Sequence, residues 1–148
     1  MIKIEKAKLA KEVLFFNDGD EILSYINERG AIDLPEIILL DINMPSVDGL
    51  DFLDLYKDVV DNKKAAIKIY MISSSINPDD VRRAEQSQFV IDYITKPIRD
   101  IDINKIFHNQ KNPYYLGVFI ATLGIGLMHS HCYDTGNHYK RYGSFRGL

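Results

Sequence analysis

Apolar positions along the chain change rhythm repeatedly, and each change marks an element. Val13, Leu14, Phe15 and Phe16 form a short continuous run of the kind found in a buried strand. Asn17-Asp18-Gly19 turns the chain, and Ile22, Leu23 and Ile26 then recur at helical spacing until Gly30. Ile37, Ile38, Leu39 and Leu40 are four consecutive aliphatic residues after Pro35, which predicts a strand buried on both faces. Leu50, Phe52, Leu53 and Tyr56 return to helical spacing, with Asn62-Lys63-Lys64 as the exit. Residues 67–72 read as the next strand. Asn77-Pro78-Asp79-Asp80 then opens a helix, with proline early and acids in the first turn, where they favour the helix dipole. A strand over 89–94 and a helix over 101–107 follow. Ile2, Ile4 and Leu9 among lysines suit one or two turns of amphipathic helix at the start. Strands alternating with helices predict an α/β fold with a doubly wound parallel sheet and right-handed crossovers.

The apolar run 37–40 ends in Asp41, at the carboxyl edge of its strand, where open α/β sheets collect ligands and chemistry. Pro45 and Asp48-Gly49 supply a tight connection to the next helix. Two later strands also end in functional residue types: Tyr70-Met71-Ile72 runs into Ser73-Ser74, and Ile94-Thr95 into Lys96-Pro97. Taken singly, an aspartate after a strand is usually a turn former and a lysine a solvated charge.

Taken together, Asp41 with Met44-Pro45 and Asp48-Gly49, then Ser73, then Lys96-Pro97, resembles the receiver domain of two-component response regulators. The resemblance covers roughly residues 5–108 and implies a flavodoxin-like receiver fold. It implies that Asp41 is the phosphoacceptor, attacking a phosphohistidine on a sensor histidine kinase or phosphotransfer protein. Ser73 would donate its hydroxyl to one phosphoryl oxygen, and Lys96 would pair with another. Tyr93 falls at the family's switch aromatic, with a partly buried edge-strand tyrosine as the plain alternative. Mg²⁺ is the expected cofactor, held by Asp41 and the backbone carbonyl of Asn43. The resemblance also implies a cis Lys96-Pro97 peptide and a partner surface on the helix after Asn77, the strand to Ile94 and the helix after Ile101.

The chain departs from that family at its beginning. Receiver domains open with an apolar strand ending in adjacent acids, and nothing before Asp41 has that form. Only one helix fits between the strand 13–16 and Asp41, so that strand matches the family's second, despite Asp18 and Asp20 beside it. In the family's spatial order the absent strand lies between the second and third, leaving a gap one strand wide, ~5 Å per spacing. Two readings stay open. The chain is incomplete, by truncation or a misread gene boundary, or another segment takes the slot. The apolar stretch 114–122 is the candidate, since a strand after the last helix would run parallel to the others. Without the acidic pair, Mg²⁺ should bind weakly and phosphorylation be impaired.

Composition changes this picture mainly after residue 110. The whole chain has 148 residues and net charge −3, which argues against a nucleic-acid surface. Residues 1–110 carry 20 acids and 14 bases, whereas the remainder holds Lys111, Lys140, Arg141 and Arg146 against Asp134 alone. A receiver-like domain over 1–110 and a separate tail over 111–148 is the expected organisation. The tail's apolar part, 114–128, is about 15 residues and broken by glycines, short of the ~20 needed to span a bilayer, although interfacial association stays open. His129, His131, Cys132 and His138 are metal-ligand types without a standard zinc spacing. Residues 139–148 read as a flexible basic tail. The single cysteine, Cys132, and the lack of a secretory signal suit the cytoplasm.

The functional expectation is a phosphoacceptor receiver domain, not an enzyme, impaired in metal-dependent phosphorylation. Alternatives are a phosphorylation-independent interaction module, a non-functional gene fragment, or an aspartyl-phosphate hydrolase. The last wants a second acid two residues after Asp41, where Asn43 stands.

Overall fold

The computed structural model describes residues 13–29, 34–60, 67–108, 118–121 and 139–141, the last two segments as backbone. The expected helix over 2–11 and the residues His129, His131, Cys132 and His138 lie outside them. The elements run β1 (Val13–Phe16), α1 (Gly19–Asn27), β2 (Ile37–Asp41), α2 (Gly49–Val60), β3 (Lys68–Ser73), α3 (Pro78–Gln86), β4 (Val90–Thr95), α4 (Asp100–His108), β5 (Val118–Ala121) and β6 (Tyr139–Arg141). Up to α4 these match the order and approximate bounds that the apolar rhythm predicts.

Alternation along the strands builds two cores, one on each side of the sheet. Leu14, Phe16, Ile38, Leu40, Ile69 and Met71 pack on one side with Ile22 and Ile26 of α1, Phe52, Leu53 and Tyr56 of α2, and Ala84 of α3. Val13, Ile37, Leu39, Tyr70 and Ile72 pack on the other with Ile103, Ile106 and Phe107 of α4. Every residue of β2 is buried, as expected of a strand covered on both faces.

All the strand pairs are parallel, and the sheet order is β4-β3-β2-β5-β1-β6. The position between β1 and β2, where the sequence leaves a missing strand, is therefore taken by β5. Val118 aligns with Val13 on one side and Ile37 on the other, and Ile120 with Phe15 and Leu39. Among the described residues β1 is the first strand of the chain, and the slot is filled from after the last helix. A four-residue apolar segment with parallel ladders on both sides satisfies backbone groups that β1 and β2 would otherwise leave unpaired.

One expectation is corrected. Tyr139–Arg141 is not a flexible tail but a three-residue strand against β1. Its polar sequence conceals it because an edge strand needs only one neighbour and commonly carries basic residues.

Candidate functional site

Three strand tips bring the site together. Asp41 closes β2, Ser73 closes β3 and Lys96 follows β4, and these strands are consecutive in the sheet. Asp41 is 2 % exposed. One carboxylate oxygen accepts the Asn43 backbone N–H at 3.2 Å, and the other is ion-paired with Lys96 Nζ. The Lys96 backbone N–H donates to the Ser73 carbonyl at 2.8 Å, and the Lys96-Pro97 peptide is cis, as the resemblance implies. Ser73 is fully buried; its hydroxyl accepts the Ser75 N–H at 3.0 Å, leaving the hydroxyl proton to donate elsewhere.

The loop after Asp41 owes its shape to close packing. The Gly49 N–H donates to the Ile42 carbonyl at 2.9 Å, and a Cβ on Gly49 would stand 2.3 Å from the Asp41 carbonyl oxygen. Only glycine lets α2 begin so close to the end of β2. Asp48 caps that helix, accepting the Leu50 and Asp51 N–H groups at 2.9 and 2.8 Å. Met44 is tucked into the core.

Asp18 is a residue whose part the sequence understates. Besides capping α1 through the Asp20 N–H, its carboxylate accepts the Ser46 and Val47 N–H groups at 2.8 and 3.1 Å. It ties the start of α1 to the loop that carries Asn43. The Asn17-Asp18-Gly19 turn is the signal for the cap, but nothing local announces bonds to a loop 28 residues away.

Tyr93 stands on β4 with its hydroxyl donating to the Ser75 carbonyl at 2.8 Å. Burial pushes its phenol above the usual tyrosine range, opposed by its hydrogen bond with Ser73 and helped by the negative charges of Asp80 and Asp41. The Ser75 hydroxyl donates to Asp80 at 2.9 Å and accepts the Asn77 N–H at 3.2 Å. The β3–α3 loop is thus braced from β4 on one side and from α3 on the other.

Receiver domains typically bind Mg²⁺ beside the phosphoacceptor, and tight binding uses several hard oxygen ligands. Among the described residues no group of three His, Cys, Asp or Glu side chains is placed to hold a metal ion. One oxygen of Asp41 already faces Lys96, and the strand beside β2 brings Ala121 opposite Leu40, with Thr122 next in sequence. Among the described residues this donor set lacks the several carboxylates of a tight Mg²⁺ site. Nor does any helix of the described residues have the length and apolarity to cross a membrane.

A family model described as the response regulator receiver domain matches residues 3–108. The chain is 31 % identical over 119 residues to the "Probable methanogenesis regulatory protein FilR2" of Methanothrix harundinacea, covering 79 % of this chain and 74 % of that protein. It is 29 % identical over 96 residues to the "Response regulator Rcp1" of Synechocystis, covering 63 % of each. In fold it is similar to a response regulator receiver protein from Dyadobacter fermentans, with TM-score 0.56, 21 % identity, and 68 % of this chain and 96 % of that one covered. Receiver domains are generally non-enzymatic signalling modules that engage histidine kinases or phosphotransfer proteins. This chain belongs to the response regulator receiver domain family of two-component signalling.

Proposed function

We propose that Asp41 is the phosphoacceptor of this receiver, and that its metal-dependent phosphorylation is weak. The observation that carries the reading is the grouping of Asp41, Ser73 and Lys96 at three adjacent strand tips, with Lys96 paired to Asp41. In the transfer, an Asp41 oxygen attacks the phosphorus of a phosphohistidine. The P–N bond breaks as the P–O bond forms, and the departing imidazole takes up a proton. Such a step depends mainly on in-line positioning and on neutralising the equatorial oxygens. The Ser73 hydroxyl donates to one of those oxygens, and Lys96 leaves Asp41 to pair with another. Tyr93 reports the change: when Ser73 turns to the phosphoryl group, the Ser73, Ser75 and Tyr93 contacts rearrange together.

Weak metal binding follows from the composition of the pocket. Lys96 already neutralises Asp41 at the β2 tip, and the strand beside it ends in Ala121 in place of an acid. That favours a second reading, a phosphorylation-independent module that binds a kinase or regulator through the face built on α3, β4 and α4. A small phosphodonor separates the two. Incubated with acetyl phosphate, the chain should gain a phosphoryl group in only a small fraction of molecules. Mg²⁺ should raise that fraction little, and Asp41→Asn should abolish it. Stoichiometric, Mg²⁺-dependent labelling would overturn weak phosphorylation, and labelling that survives Asp41→Asn would overturn the acceptor.

A further inference from the structure

The strand β1 is bonded to β5 on one side and β6 on the other. Both neighbours come from the end of the chain. Within the sheet, β1 is therefore linked to β2 only through β5, and the segment carrying β5 and β6 clasps it from both sides. Nine residues separate α4 from β5, a reach of up to ~30 Å when extended, and seventeen separate β5 from β6.

We propose that this C-terminal segment is an exchangeable arm, and that its partner is the slot between β1 and β2 in a second copy of this chain. Before β5 docks, β1 and β2 face each other across an empty strand position, each with a row of unpaired N–H and C=O groups. Such edges accept any strand that fits both at once. The one shown to fit is Val118–Ala121, in register with Val13–Phe16 and with Ile37–Leu40. A second copy carries the identical segment, so the exchanged arrangement repeats every ladder of the single chain. This is the condition under which domain swapping costs little. The arm is also made after β1 and β2, so the slot exists before its own strand arrives. A tether of nine residues gives the arm an effective concentration on the order of 1 mM for its own slot. Single chains therefore close on themselves when dilute and exchange arms when folding together at comparable concentration.

The register supplies the test. Phe15 and Ile120 are paired neighbours on β1 and β5, and directly opposed strand positions are close enough for a disulfide. Two full-length variants are made, one with Phe15→Cys and one with Ile120→Cys, each with Cys132→Ser. They are mixed in denaturant, refolded at ~1 mM, matching the effective concentration of a short tether, or at ~1 µM, far below it, and oxidised. Exchange predicts a disulfide-linked heterodimer, strongly favoured over either homodimer, at the high concentration only. Absence of the heterodimer, or linkage no more selective than random pairing, overturns the proposal. The unaltered chain provides a measurement free of any folding defect in the variants. Light scattering should find dimer after refolding at the high concentration and monomer after the low, and monomer at both would overturn exchange.

Discussion

Lys96 Nζ sits against a carboxylate oxygen of Asp41, joining the end of β2 to the residue that follows β4 across the tip of β3. The Asp41 side chain is 3 % exposed and that of Lys96 30 %, so the acid is buried while the lysine keeps contact with solvent. A buried carboxylate is tolerated when it has a counter-charge and hydrogen bonds, and Asp41 has one of each. Removing the ammonium strands the charge. Lys96→Met should lower stability by about 1–3 kcal/mol, the range for leaving a buried polar group unsatisfied. Asp41→Asn, which removes the charge itself and leaves the loop bond to Asn43, should cost less. Urea unfolding of the two variants checks the order, and an equal or reversed order would mean the pair is not what holds the pocket.

The hydroxyl of Tyr56 is buried with no hydrogen-bond partner among the described residues, and its ring packs against Phe52 and Phe89. Burial pushes its phenol up to about 12. The folded state thus holds the proton more tightly than the unfolded chain, whose tyrosines titrate near 10. Below that unfolded value the contribution to stability is complete, and it is lost as pH rises from about 10 through about 12. Tyr56→Phe should be neutral or slightly stabilising at pH 7, because the group removed has no partner to orphan. It should also weaken the fall in stability above pH 10, as followed by unfolding at a series of alkaline pH values. A loss of several kcal/mol at pH 7 would mean the hydroxyl is satisfied.

Asp18 accepts three backbone N–H groups, two of them from the loop beyond Asp41. Asp18→Ala should cost at least the ~1 kcal/mol typical of a lost helix cap. It should also speed amide exchange at Ser46 and Val47 relative to the β2 amides. Unchanged exchange at those two positions would show that the loop is held by other means.

Gly49 admits no side chain, since a Cβ would lie 2.3 Å from the Asp41 carbonyl and 2.9 Å from the Ile42 Cα, both backbone atoms that cannot swing aside. Gly49→Ala should lower the urea midpoint by the equivalent of about 1–3 kcal/mol, the range for overpacking. Wild-type stability in that variant would mean α2 can start farther from β2.

Where a residue's part depends on its near neighbours, the sequence makes it plain. Asp41, Asp48 and Gly49 belong to one strand-turn-helix unit, and Ser73 and Lys96 each end an apolar run, so the three strand tips could be named before the fold was seen. The placement of β5 was readable as a candidate, because a gap between β1 and β2 and an apolar segment after α4 call for each other. Its register is not, since four consecutive apolar residues fit several alignments. Tyr139–Arg141 hides because pairing along one edge puts no demand on side-chain pattern. The bonds from Asp18 to Ser46 and Val47 hide because they join loops far apart in the chain, and no local rule encodes them.

Under the proposed function, Ser73 and Lys96 serve a phosphoryl group on Asp41, while metal ligands are few among the described residues. Beryllofluoride, which mimics a phosphoryl group on a carboxylate, tests it most directly when titrated with and without Mg²⁺ and followed by NMR of the Asp41, Ser73 and Lys96 amides. No stable Mg²⁺-dependent complex is expected. A saturable complex that forms only with Mg²⁺ and disappears in Asp41→Asn would contradict it.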